Sequence, residues 1–173
     1  SYQNIFLDPY NQEVIFDINY NSSSVQRTWL DVQLNPNGYE GWASINPTQD
    51  FVESYETKDG KYITDPTSGY QLDKFWENRD PRLKATVLYD GNMWKGREYE
   101  SFLPGGKDSR DGIYEWNTSQ TGYTWKKMLY EDVLVEDYWA PSRGRQHKIV
   151  FRYAEFLYYY AETQIELGNE AVA

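Results

Sequence analysis

The sequence predicts a loop-rich chain of short β-segments and hairpins that ends on one long amphipathic helix. Three observations carry this reading. Residues Arg152 to Leu167 run at helical period without Gly or Pro, and Gly168 stands where a left-handed C-terminal cap belongs. Period-two alternation is confined to short runs, Val14 to Tyr20 and Leu83 to Tyr89. Strong turn signals divide the remainder at Asn35-Pro36-Asn37-Gly38, Asp59-Gly60, Asp90-Gly91 and Pro104-Gly105-Gly106. The chain has 173 residues, the size of one domain, with no internal repeat or low-complexity tract. It reads as loops and hairpins over 1–148, a helix in the segment 149–168, clearest from Arg152 to Leu167, and the start of another over 169–173.

In chain order, Val14, Phe16, Ile18 and Tyr20 alternate with Ile15, Asp17 and Asn19, the pattern of a half-buried strand, with turn residues from Asn21 to Ser24. A helix is predicted from Pro47 to Lys58. Asn46 is its N-cap, Pro47 fits the first helical position, and Asp59-Gly60 supplies the exit. Tyr62 to Asn78 reads as loop. Asp80-Pro81 then opens a strand through Leu83, Ala85, Val87 and Tyr89, and Asp90-Gly91 turns it into a return strand over Met93 to Tyr99, where Gly96 marks a bulge or an early end. Leu103 to Gly112 is a long surface loop. On the closing helix, apolar residues including Tyr153, Phe156, Leu157, Tyr160 and Leu167 fill an arc of roughly 200°, too wide for a single neighbour.

Composition excludes several classes of function. Hydrophobic residues make up 39%, below the roughly 45–50% of ordinary domains, while 7 Trp, 17 Tyr and 7 Phe bring aromatics to 18%. Rings must therefore supply much of the core. A net charge of −10 repels polyphosphate, which argues against nucleic acid as a partner. With no Cys and one His, disulfides, thiolate catalysis and Cys/His zinc sites are all excluded. No stretch approaches the roughly 20 apolar residues of a membrane-spanning helix, and Ser1-Tyr2-Gln3-Asn4 lacks the order of a signal peptide.

Three segments resemble one known family. Asn46-Pro47-Thr48-Gln49-Asp50-Phe51-Val52-Glu53-Ser54-Tyr55-Glu56, followed by Lys58-Asp59-Gly60-Lys61, looks like the SusD and RagB nutrient-binding lipoproteins. Asn78-Arg79-Asp80-Pro81-Arg82-Leu83 resembles a second landmark, and Phe151-Arg152-Tyr153-Ala154-Glu155 through Leu167-Gly168-Asn169 a third. The resemblance implies a mainly α fold, a scaffold of tetratricopeptide-like helix pairs with a loop-rich face and short β-hairpins, of which this chain supplies a loop-rich part. It also implies a cell-surface outer-membrane lipoprotein that captures a glycan or other nutrient for a TonB-dependent, SusC-like transporter, without catalysis. Family members are about three times longer and begin with a lipidated Cys. The expectation is therefore an internal or C-terminal-half piece, with the lipid anchor and further helices lying outside it.

Glycan binding lays a pyranose on a ring face while nearby polar groups bond its hydroxyls. Two clusters offer that combination on loops or hairpin ends. One is Trp76 with Tyr70, Asn78 and Arg79; the other is Trp94 with Asn92, Lys95 and Arg97. The candidate ligand residues are Tyr70, Trp76, Asn78, Arg79, Trp94 and Arg97, with the competing reading that the rings only anchor loops. A secreted glycoside-active enzyme and a purely protein-binding helical scaffold are the alternatives. No carboxylate pair stands out for glycoside hydrolysis, Glu155, Glu162 and Glu166 read as an acidic helix face, and His147 reads as a surface residue with no Gly-x-Ser-x-Gly elbow beside it. Gly105-Gly106-Lys107 lacks the Ser or Thr of a phosphate loop, since Asp108 follows. Asp108 to Gly112 is a poor calcium loop because Arg110 takes a ligand position. No cofactor is expected, although a structural calcium ion held by non-consecutive loop carboxylates stays open.

Overall fold

The computed structural model describes residues 1–20, 28–137 and 146–172. Among these residues it is loop-rich, with four α-helices and short antiparallel strands. In order they are β1 (Val14–Asn19), α1 (Leu30–Leu34), α2 (Gln49–Glu53), α3 (Pro81–Thr86), β2 (Val87–Leu88), β3 (Met93–Trp94), β4 (Arg97–Glu98), β5 (Thr124–Trp125), β6 (His147–Arg152) and α4 (Tyr153–Glu166). The strands form three two-stranded antiparallel pairs, β1 with β6, β2 with β5 and β3 with β4. Rings share the core with aliphatic chains, as the composition requires: Tyr39, Trp94 and Tyr99 pack with Leu34, Leu88 and Leu129, while Phe75, Tyr55 and Tyr123 cover Val52, Leu83 and Val87.

The strand predicted over Leu83 to Tyr89 is mostly helix. Asp80 caps α3, its carboxylate accepting the Arg82 N–H at 2.8 Å, and Pro81 occupies the first helical turn. Leu83 and Val87 suit either period, being two residues apart twice over and one helical turn apart once. The Asp-Pro cap decides for helix, leaving only Val87 and Leu88 extended. Arg82 also pairs with the Asp80 carboxylate. This hydrogen-bonded pairing holds the carboxyl of Asp80 below its ordinary value. Its contribution to stability is therefore present above the ordinary Asp pKa of about 3.9 and is lost as pH falls through the lowered value. Asp80→Asn keeps a capping oxygen but no titration, so the small stability gap between wild type and variant, under about 1 kcal/mol for so exposed a pair, should close in denaturant melts below pH 4.

The predicted hairpin shifts by one turn. Lys95 and Gly96 both have positive φ, 45° and 84°, and form the tight turn between β3 and β4, so Gly96 is a turn residue and not a bulge. Asp90-Gly91 leads into that hairpin instead of returning on α3. The helix predicted over Pro47 to Lys58 shortens to Gln49–Glu53. Thr48 is the N-cap, its hydroxyl accepting the Phe51 N–H at 3.2 Å. Asn46 instead donates to the Ala43 carbonyl at 2.8 Å and accepts the Gln120 N–H at 3.0 Å. At the other end Thr57 turns away to pair with Lys61 and bridges to Arg79, so Asp59-Gly60 closes a local turn and not the helix.

The N-terminal strand is present, but Ile15, Phe16 and Ile18 are all exposed, so it is not half-buried. The reason is its setting: it forms a two-stranded ribbon with β6 that leaves most of its apolar side chains exposed. That pairing also corrects His147. Opposite Asn19, it sits 0% exposed in its side chain with Nδ1 2.6 Å from the Asp17 carboxylate, and is not a surface residue. α4 matches the helix predicted from Arg152 to Leu167 to within a residue at each end, while 149–152, also assigned to that helical segment, are extended because they pair with β1. None of its residues is buried, so its wide apolar arc stays uncovered among the described residues. Residues 169–172 form a hydrogen-bonded turn in which the Val172 N–H reaches the Asn169 carbonyl. The described helices include none long and apolar enough to cross a membrane.

Candidate functional site

The structure sorts the six candidate ligand residues into two places. Tyr70, Trp76, Asn78 and Arg79 meet at the junction of the 62–80 loop with α2. Asn78 has φ of +52°, a conformation Asn tolerates well, and its carbonyl accepts the Lys58 N–H. That kink turns Arg79 inward. Arg79 is 3% exposed, and its guanidinium donates to the carbonyls of Val52 at 2.7 Å, Tyr55 at 2.8 Å and Phe75 at 2.8 Å. Burial pushes its pKa down. Its outer side lies 5.4 Å from the Tyr70 ring, and burial likewise raises the Tyr70 phenol. Arg79 is thus a scaffold residue, clamping the end of α2 to the loop.

Trp76 is half-buried. It stacks on Tyr89 with ring centroids 5.8 Å apart and planes 21° apart, and meets Phe75 edge-on at 5.1 Å. Phe75 is partly shielded from solvent by its own neighbours, since its ring also faces Tyr89 and Tyr123 edge-on. Beside this aromatic group a hollow of about 100 Å³ is lined by Gly69, Gln71, Lys74, Glu77 and Asn78.

Trp94 and Arg97 lie apart from that group, on the β3–β4 hairpin, and both are taken up by the fold. Trp94 is 0% exposed; its indole N–H donates to Asn35 Oδ1 at 2.9 Å and its ring packs with Leu34, Leu88 and Leu129. A ring so enclosed has no face to offer a sugar. The turn chemistry at Lys95-Gly96 explains the difference from expectation, because it points Trp94 into the core while Met93 faces out. Arg97 holds Asp108 through two 2.8 Å hydrogen bonds, donates to the Gly38 carbonyl at 3.0 Å, and lies 3.8 Å from the centre of the Tyr39 ring.

Asp108 in turn organises the loop that reads as surface in the sequence. Its carboxylate is 0% exposed and also accepts the Glu100 N–H at 2.9 Å. Gly106 permits this fold: a Cβ there would sit 2.5 Å from the Glu100 carbonyl oxygen. Between this loop and residues 118–122 runs a polar cleft of about 360 Å³, lined among others by Ser101, Asp108, Arg110, Ser119, Gln120 and Thr121. Trp116, two residues ahead of the second wall, is 51% exposed with the Tyr114 ring at 5.3 Å. Sequence reasoning passed over this cleft. Its signal was Pro-Gly-Gly followed by Asp-Ser-Arg-Asp-Gly, a loop with too many close-approach glycines to be loose. Among the described residues no group of three His, Asp or Glu side chains converges to hold a metal ion.

The model of the SusD family matches residues 12–173. Among solved structures, the chain is similar to a SusD-like carbohydrate-binding protein from Bacteroides fragilis, at 30% identity and a TM-score of 0.80 over 97% of this chain and 33% of that one. It is also similar to a second SusD-like protein from Bacteroides fragilis, at 25% identity and a TM-score of 0.68 over 97% of this chain and 35% of that one. The chain spans about a third of the length of each. Curated protein sequences include none that matches it significantly. With the family model matching nearly end to end and the fold shared with two such proteins, the chain belongs to the SusD family.

Proposed function

We propose that this chain is part of a cell-surface protein that binds a glycan and passes it to a TonB-dependent, SusC-like transporter in the outer membrane, without catalysis of its own. The observation that carries the reading is the likeness, over 97% of the chain, to a protein described as SusD-like and carbohydrate-binding. In this reading a lipid anchor holds the protein at the outer surface. α4 is one helix of a tetratricopeptide-like scaffold whose further helices cover its exposed apolar arc. The loop-rich part described above is the ligand-bearing face.

Of the six residues first considered, Tyr70, Trp76 and Asn78 keep a ligand-facing role, because all three stay at least partly exposed and Asn78 lines the hollow. Arg79, Trp94 and Arg97 hold the fold. Affinity electrophoresis of the full-length chain against a panel of polysaccharides should retard migration on at least one, with no reducing ends released. Hydrolysis abolished by a Glu→Gln change would overturn the binding-only reading. Trp76→Ala should weaken retention roughly two- to tenfold, the scale of one aromatic contact, with little change in melting temperature. Unchanged retention would remove Trp76 from the site.

A further inference from the structure

We infer that the cleft between the Asp108 loop and residues 118–122 is a subsite for an anionic sugar unit, one bearing a carboxylate or a sulfate, with Arg110 as its charge-reading residue. This rests on the glycan-binding reading above and narrows it to a chemical class. Several groups lining the cleft are already committed to the fold. Ser109 donates to the Gly106 carbonyl at 2.7 Å and accepts the Asp111 N–H. Ser119 donates to the Tyr123 carbonyl and accepts the Thr121 N–H. Thr121 donates to the Pro47 carbonyl at 2.8 Å and accepts the Tyr123 N–H. Most hydroxyls of the cleft therefore fix its walls, and a neutral sugar finds few free partners there.

The charges are committed in the same way, with one exception. Asp108 is neutralised by Arg97, and Lys107 by Glu100 at 3.1 Å. Asp111 is exposed but does not line the cleft. Arg110 lines it, is exposed, and has no ion pair or hydrogen bond among the described residues. In a chain of net charge −10, an uncommitted guanidinium over rigid polar walls presents local positive potential against an otherwise repelling surface. Its planar fork of donors matches the geometry of a carboxylate or sulfate. The volume of about 360 Å³ lies at the small end of ligand sites, suited to one sugar unit of a longer chain.

The test is titration of the full-length chain with polygalacturonate and dextran sulfate against neutral galactan and dextran, at low and high salt. One anionic polymer should bind at least tenfold more tightly than its neutral counterpart, and which of the two does so separates carboxylate from sulfate. Arg110→Gln should lose at least tenfold in that affinity, about 1.4 kcal/mol, with unchanged melting, and Arg110→Lys should keep part of it. The exposed Lys84 on α3 controls for general charge: an equal loss in Lys84→Gln overturns the inference. So does an Arg110→Gln variant that binds like wild type. Retention of neutral glycans without anion preference overturns the subsite and leaves the glycan reading standing, whereas retention of no glycan removes both.

Discussion

Trp94→Ala should cost about 4 kcal/mol of stability, the largest loss expected for any ring in the chain. Truncating a fully buried indole removes its transfer energy and leaves a cavity that the surrounding structure only partly fills, typically 3–5 kcal/mol together. At this position the walls are Leu34, Leu88, Leu129, Tyr39 and Tyr99, held by a tight hairpin and an α1 terminus that leave little room to collapse. The polar part separates cleanly from the apolar part. Trp94→Phe keeps most of the volume but removes the donor to Asn35 Oδ1, whose own amide stays bonded to the Asp31 carbonyl, so a loss of about 1–2 kcal/mol is expected. Denaturant midpoints of Trp94→Ala, Trp94→Phe and Trp76→Ala measure the series. A Trp76→Ala loss as large as that of Trp94→Ala would contradict the contrast in burial on which the assignment of the two rings rests.

That contrast also marks where the sequence is legible and where it is not. α4 is readable because fourteen residues of uninterrupted period, closed by Gly168, leave no competing pattern. The segment after Asp80 is misread because Leu83, Ala85, Val87 and Tyr89 satisfy a period of two, while the deciding information sits in two residues, Asp80 and Pro81, that suit a turn as well as a cap. β6 carries no periodic signal at all. Its Ile149-Val150-Phe151 run takes extended form only because β1, 130 residues earlier, supplies the partner, which is also what buries His147 beside Asp17. The site follows the same rule. Tyr70, Trp76, Asn78 and Arg79 are neighbours in sequence, yet burial separates their roles. The polar cleft depends on an Arg97–Asp108 pairing and on contacts from residues 118–122 to Asn46 and Pro47, long-range closures that no local pattern announces.

Arg79→Met should be the most costly change at a charged position, about 3–5 kcal/mol. The guanidinium is buried and has no carboxylate in ion-pair contact among the described residues; three carbonyl oxygens serve in place of a counter-ion. Val52 lies in the last turn of α2, where helix carbonyls lack intrahelical donors, and Tyr55 sits just beyond its end. Methionine fills similar length without donors, so the variant recovers the desolvation cost of the charge but strands three buried acceptors, each at about 1–3 kcal/mol. Replacing an ion pair by apolar groups can be neutral when both partners go; here only one can, because the other is backbone. Arg79→Lys should fall between, since a single ammonium lacks the planar fork that reaches the Val52, Tyr55 and Phe75 carbonyls together. Amide hydrogen exchange locates the damage: protection should fall across 49–80, while the Tyr99 N–H, bonded to the Asn92 carbonyl in the hairpin, keeps its rate. A Met variant with wild-type stability would mean that these carbonyls are satisfied by water once the arginine is gone, and that the loop bearing Tyr70, Trp76 and Asn78 is positioned by its rings alone.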